Sequence, residues 1–288
     1  MSTKSIRYKH LITFLGVISL LLSTQVLSEV LILSPNNVKA RSIAVKIKEK
    51  LIDKNIVISE NPNAVENPEL VITLGSELLK THGKQLNAPT IASFVSPSEY
   101  FNSNILNNFP SEPIYSVVSP RFLMSFLEES FGNARVGYIY VGEKDPYIKE
   151  LEFISSFSET KIVPIKLRNN DVFKTIRRIL SNRSIDVMIV SNNSSVFNRK
   201  NIRFVLEALY RKKIPTVGLS QTLVDAGAVA AVFSKEDAII EQTISSANSY
   251  LLTNSFRGEM YALISDVVYK KAFVDEFNIP LIGNYTLK

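Results

Sequence analysis

The sequence predicts an α/β protein of two lobes, each built on a parallel sheet wrapped by helices. Three observations predict it. Short apolar runs bounded by turn residues recur along the chain, amphipathic helical stretches separate them, and a polar, Asn-rich stretch from Ser96 to Pro113 divides the series in two.

The first run, Val30 to Leu33, is followed by Ser34-Pro35-Asn36-Asn37 and suits a central strand buried on both faces. From Ala40 to Ile52 the spacing predicts a helix with Ile43, Ala44, Ile47 and Leu51 inward and Lys46, Lys48 and Lys50 largely outward. Ile56 to Ile58 and Leu70 to Leu74 read as strands, the latter ended by Gly75-Ser76, with Ser76 able to cap the next helix. Pro89 to Phe94 gives a fourth strand. The stretch from Ser96 to Pro113, with prolines at 97, 110 and 113, reads as a loop or crossover.

The alternation then restarts. Phe122 to Phe131 is expected as a helix with Phe122, Phe126 and Leu127 inward, followed by a strand at Arg135 to Val141 and a helix at Pro146 to Phe157. Lys161 to Leu167 and Ile185 to Val190 read as strands around a helix at Val172 to Ser181. Asn201 to Lys212 reads as a helix and Thr216 to Leu219 as a strand. Repeated units of this kind connect right-handedly, with helices on both faces of the sheet.

Composition narrows the chemistry. The 288 residues contain no Cys, no Trp and two His, His10 and His82. Disulfides, thiolate metal sites and cysteine nucleophiles are excluded, and a His-built metal site or Ser-His-Asp triad nearly so. No metal or other cofactor is expected. The 33 basic and 27 acidic residues give +6. Residues 1–28 carry Lys4, Arg7 and Lys9 without an acid, an apolar run from Leu11 to Leu22, and Val26-Leu27-Ser28 before Glu29. That is the pattern of a cleaved export signal, and the run is short of the ~20 residues a bilayer requires; an uncleaved anchor is the alternative. No Cys stands at the cleavage site, so no lipoprotein anchor is expected. Without the leader the charge falls to +3, too small a field for nucleic acid. Arg41, Lys46, Lys48 and Lys50 read as the wet face of a helix.

In open α/β sheets the ligand crevice lies beyond the carboxyl ends of the strands. That rule selects Ser34 and Asn36, Gly75 and Ser76, Ser93 and Ser96, Gly142 and Glu143, Ser191 to Ser194, and Ser220 and Gln221. Hydroxyls and amides dominate, and following helix N-termini would offer free N–H groups to an anion. Taken singly, each such residue is better explained as a turn or cap, and the collection is better evidence than its members. No GxGxxG follows the first strand, and neither GxxxxGK[ST] nor GxSxG occurs, so dinucleotide, P-loop and nucleophile-elbow readings lack their cradles. Glu143, Asp145 and Asp225 lie near strand ends, but nothing pairs them as acid and base.

The stretches LVITLGSELL, PTIASFVSP, RVGYIYVGEKDPYIKELE, IDVMIVSNNSSVFN and KKIPTVGLSQTLVDAGAVAAVFSKEDAI occur in that order. Together they resemble the ABC-transporter substrate-binding family of type I periplasmic binding proteins, whose better-known members bind aromatic amino acids. The most specific part is Lys213 to Ala231, with Ile214-Pro215 and Gly227-Ala228; the closing stretch DVVYKKAFVDEFNIPL resembles the family's terminal helix. The resemblance implies two Rossmann-like lobes joined by three hinge crossovers, near Pro113 to Val118, Ala231 to Lys235 and Tyr261 to Asp266. It divides the chain into an N-terminal lobe of 29–115 and 236–262 and a C-terminal lobe of 116–235 and 263–288, with the helix Glu236 to Leu252 returning to the first.

Two departures bear on the ligand. Where amino-acid binders of the family carry an Asp-Asn-Thr stretch, this chain has Asn192, Asn193 and Ser194; the family's Ser/Thr-Asp-Pro turn is here Ser96-Pro97. A buried ammonium without a carboxylate is costly, so the expected ligand is neutral or anionic, or the pocket has taken another role. Tyr100, Tyr115 and Phe197 are candidates for an aromatic wall or for core. The reading is a soluble, monomeric periplasmic solute-binding protein, with a small-molecule ligand and an inner-membrane permease and its ATPase as partners. The alternatives are a sensor or accessory protein coupled to a membrane receptor and, more remotely, an enzyme using Glu143 or Asp145.

Overall fold

Continuous apolar runs form the centres of two sheets. The computed structural model describes residues 29–52, 55–103, 105, 109–168, 171–193, 196–258, 260–283 and 285–288; the expected leader, 1–28, lies outside them. Strand β1 (Glu29–Leu33) buries Val30 to Leu33 completely, and β3 (Leu70–Leu74) is buried throughout. Between them come α1 (Val38–Lys50) and β2 (Asn55–Ser59), and after them α2 (Ser76–His82) and β4 (Thr90–Val95). With β5 (Ser111–Tyr115) these strands form a parallel sheet in the order β2-β1-β3-β4-β5.

The second sheet has the order β12-β11-β10-β9-β8-β6-β7. Its parallel part is β6 (Arg135–Tyr140), β7 (Lys161–Lys166), β8 (Val187–Val190), β9 (Thr216–Gly218) and β10 (Ala230–Ser234). The connecting helices are α5 (Pro146–Ser156), α6 (Val172–Asn182), α7 (Ile202–Arg211) and α8 (Gln221–Ala226). Strand β11 (Ser265–Tyr269) pairs antiparallel with β10 and parallel with β12 (Tyr285–Leu287). Pro113 and Pro164 sit in the edge strands β5 and β7, where a missing N–H is tolerated.

The chain passes between the sheets three times: from β5 through 116–119 into α4 (Pro120–Phe131), from β10 through Lys235 into α9 (Glu236–Thr253), and through 254–264 into β11. Helix α9 packs on α1, β4 and β5 of the first sheet. Ile239, Ile240, Ile244 and Ala247 there join Ile43, Ala44 and Ile47 in one core. The expected wet face of α1 is partnered: Lys39 reaches Glu236 at 2.8 Å, Lys46 reaches Asp237 at 3.1 Å, and Lys50 bonds Glu241.

Several expectations are corrected. The stretch from Ser96 to Pro113 is not simply a loop. It holds α3 (Pro97–Phe101), started by a capping box between Ser96 and Glu99, and the beginning of β5. The N-cap of α2 is Gly75, not Ser76, which is already helical. Phe122 is 38% exposed, because α4 starts two residues earlier behind its Ser119 cap and buries Leu123, Met124, Phe126 and Leu127. Of the closing stretch only α10 (Lys271–Phe277) is helical, and the residues before it form β11.

Close approach explains one glycine of β9. A Cβ at Gly218 would stand 2.6 Å from the Cβ of Leu223. Neither atom can rotate away, so α8 must separate from the sheet. Overpacking of this kind costs ~1–3 kcal/mol. Gly218→Ala is therefore expected to lower Tm by several degrees in a thermal melt.

Candidate functional site

The carboxyl ends of β3, β4 and β5 face those of β6, β8 and β9 across a cleft of about 770 Å³. The volume is that of a small-molecule site. From the first sheet come Gly75 and Ser76 after β3, Ser96 with Ser98, Glu99 and Asn102 after β4, and Ser116 and Val117 after β5. From the second come Tyr138, Asp145, Tyr147, Ser191, Asn192, Asn193 and Leu219. An adjoining cavity of about 590 Å³ shares Ser98, Asn102, Tyr138, Asp145 and Asn193, and continues along Gly142 to Lys149. Helices α3 and α5 touch across the gap.

Local rules place the polar groups. Ser96 Oγ accepts from Glu99 N at 3.3 Å and Glu99 accepts from Ser96 N at 2.9 Å. Burial works against the Glu99 carboxylate, but the bonds from Ser96 and Ser76 and the nearby Lys80 ammonium outweigh it and hold the group below its usual range. Lys80 Nζ lies 3.6 Å from it. Asp145 is the N-cap of α5, accepting from Ile148 N at 2.9 Å. Here burial wins: despite the bonds from Ile148 and Tyr147 and the charge of Lys149, it raises the Asp145 pKa.

Burial, with the charge of Asp145 adding to it, also raises the Tyr138 phenol. Tyr147 is raised by complete burial and donates to Val118 O at 2.9 Å, tying α5 to the first crossover. Both hydroxyls stay neutral. Ser191 Oγ is buried. It lies near enough to the Tyr138 phenol to lower that group against the rise from burial, yet meets no partner at hydrogen-bond geometry.

The backbone shows strain at the same place. The register of β4 on β5 slips between Ser93 and Val95, and Phe94 at the slip has φ +60°. A non-glycine residue there costs ~1–3 kcal/mol, and such residues cluster at ligand clamps. Phe94 lines both this cleft and a second groove of about 480 Å³ by Lys39, Lys235 and Asp266.

Of the residues selected from the sequence, Gly75, Ser76, Ser96, Ser191, Asn192 and Asn193 line the cleft, and Gly142 and Glu143 line the adjoining cavity. Ser34 is buried, and its hydroxyl reaches only Pro35 O. Asn36 is exposed and its N–H bonds Glu60. Tyr100 is core, its phenol 2.7 Å from Ser111 Oγ, and Phe197 is core of the second sheet. Tyr115 is buried and packs 5.0 Å from Tyr261, not in the cleft wall. Ser220 bonds Thr222, and Gln221 lines the second groove instead. Ser194 lies outside the described residues.

Tyr138 and Glu99 were missed. Tyr138 lies inside a strand and reads as core, whereas Glu99 belongs to a capping-box pattern visible at Ser96-Pro97-Ser98-Glu99. Among the described residues no cluster of three or more His, Asp or Glu could hold a metal, and no helix is long and apolar enough to cross a membrane.

No protein-family model matches the chain, and no curated protein does. Solved structures do. The ligand-free, open structure of a substrate binding protein with adhesive properties from Clostridium difficile is 16% identical, with TM-score 0.64 over 90% of this chain and 98% of that one. The ABC domain in complex with L-Trp from Streptococcus pneumonia is 12% identical, with TM-score 0.55 over 88% and 96%. A periplasmic ribose ABC transporter from Conexibacter woesei is 12% identical, with TM-score 0.50 over 86% and 93%. At these identities the likeness is one of fold. The protein has the two-lobe, type I periplasmic binding fold that its sequence resembles.

The environment of Asp145 sets a pH signature. Its folded pKa exceeds the unfolded one, so the protonated form is favoured by folding, and that stability is lost as pH rises through the folded pKa. Asn caps a helix as well as Asp does. Asp145→Asn is therefore expected to melt above the native protein at pH 7, with the gap closing below the ordinary carboxyl range. Tyr138, Tyr147 and Tyr261, on which the charge of Asp145 acts, are all raised and stay neutral through that interval.

Proposed function

We propose that this protein is an exported solute-binding protein that captures a small molecule between its lobes and delivers it to an ABC-type importer. The observation that carries the reading is the 770 Å³ cleft, walled by strand ends of both sheets and rich in hydroxyl and amide groups. The lobes of this reading are 29–115 with 236–262, and 116–235 with 263–288. The fold is shared with proteins described as substrate-binding or ABC-transporter components.

In this reading Gly75, Ser76, Ser96, Asn192 and Asn193 contact the ligand, joined by Tyr138, Asp145 and Ser191. No bond is made or broken. Ligand contacts to both lobes favour the closed arrangement, so closure follows from differential affinity. The crossovers at 116–119, Lys235 and 254–264 are the hinges. The leader is removed before Glu29, and the mature protein works in the periplasm.

Three measurements test this. The intact mass of exported protein should correspond to a chain beginning at Glu29. A metabolite panel should contain a compound that raises Tm by several degrees, since ligand at a hundredfold excess over Kd adds ~2.7 kcal/mol. Replacing Asn192 and Asn193 with Ala should abolish that shift while lowering the unliganded Tm only slightly, since both residues are exposed and the bond lost from Asn192 to Leu219 O contributes about 1 kcal/mol. A panel without any shift counts against capture. Retention of a membrane receptor without transporter subunits counts against import.

A further inference from the structure

The anion-receiving positions of the cleft are filled by the protein's own carboxylates. A helix N-terminus at the crevice is where an anionic ligand group would sit. Here the start of α3 is closed by Glu99 through its capping box, and the start of α5 is closed by Asp145. Glu77 occupies the first turn of α2. Against these three carboxylates the cleft wall offers one ammonium, Lys80, which is paired with Glu99. The lysines of the adjoining cavity do not reverse this. Lys144 is held by Glu152 at 2.5 Å, Glu143 pairs with Lys166 outside the cavity lining, and the charge of Lys149 acts on Asp145 itself.

A second feature points the same way. The Ser191 hydroxyl is more than nine-tenths buried in the cleft wall and meets no partner at hydrogen-bond geometry. With its O–H turned toward the nearby Tyr138 phenol, the Ser191 oxygen keeps lone pairs that can accept a ligand N–H. Beside it stands the ring of Tyr138, and Asp145 lies on the same wall. A carboxylate, a hydroxyl acceptor and an aromatic face are the three groups that suit a protonated amine.

We propose, resting on the reading of the cleft as a solute site, that the ligand is a small protonated amine without a carboxylate, held by Asp145 with Ser191 and Tyr138. This revises the neutral or anionic ligand expected from Asn192 and Asn193. The missing acid of the β8 end is replaced by an acid on α5, while no unpaired cation of the cleft wall receives a carboxylate.

Matched probes separate the alternatives. Calorimetric titration of the purified protein would compare tryptamine, L-tryptophan and indole-3-propionate, then tyramine and L-tyrosine, then putrescine as an aliphatic amine. At least one amine should bind, at least about tenfold more tightly than its carboxylate-bearing partner where it has one, and the anion should not bind. Asp145→Asn, which keeps the cap, should weaken the amine by about tenfold or more. Ser191→Ala should weaken it less without lowering Tm. An amino acid or the anion binding as tightly as the amine overturns the inference but leaves the cleft a binding site. So does an amine held equally well by Asp145→Asn. Silence of every probe and of the metabolite panel overturns both readings.

Discussion

A parallel sheet has to be covered on both faces, and most of this structure follows from that requirement. The apolar runs of β1 and β3 have no face that tolerates water. One side of the first sheet is closed by α1 together with α9. The other is closed by a core that includes Leu79 of α2 and Tyr100 of α3. The N-terminal elements do not provide enough helix to do this, so the chain returns from the second sheet to supply α9. That return creates two of the three crossings. The crossings in turn set the carboxyl ends of two sheets opposite each other, and the cleft is the space between them.

The chemistry of the cleft is a by-product of ending helices well. Glu99 and Asp145 are caps first: each satisfies N–H groups that a helix start leaves open. Because α3 and α5 approach across the gap, the two caps also line the same cavity. They differ in one respect. Glu99 has hydrogen bonds and Lys80 that favour its charge, whereas burial leaves Asp145 disfavoured as an anion.

The fold was legible because its strands are runs of Val, Ile and Leu with turn residues at both ends, from Val30-Leu31-Ile32-Leu33 to Val187-Met188-Ile189-Val190. The helices with a clear apolar stripe were legible for the same reason. Composition misled at 96–113, where Asn and Pro conceal a cap signature and an edge strand in which Pro113 is tolerated. The site was legible only as a set of strand ends. That rule finds Ser76 and Asn192, but it also collects Ser34 and Asn36, which have strand-end positions and local partners. It misses Tyr138 because a tyrosine inside a strand looks like any core residue. The turn of Phe94 into positive φ has no sequence signal, since its cause is a register slip between two strands. That Glu99 and Asp145 share a cavity depends on how two sheets meet, and no local pattern encodes it.

The pairing of α1 with α9 bears on the order in which the molecule is made. Lys46 and Asp237 are 191 residues apart. As the nascent chain leaves the ribosome, the first sheet exists in outline long before the helix that seals it. Until residues 236–253 emerge, Ile43, Ile47 and Ile72 lack part of their cover. Contacts so distant in sequence slow folding. Under the export proposed above, in which a chain is threaded unfolded through a narrow channel, that delay is an advantage. The architecture that makes the cleft also postpones its assembly until nearly the whole polypeptide is on one side.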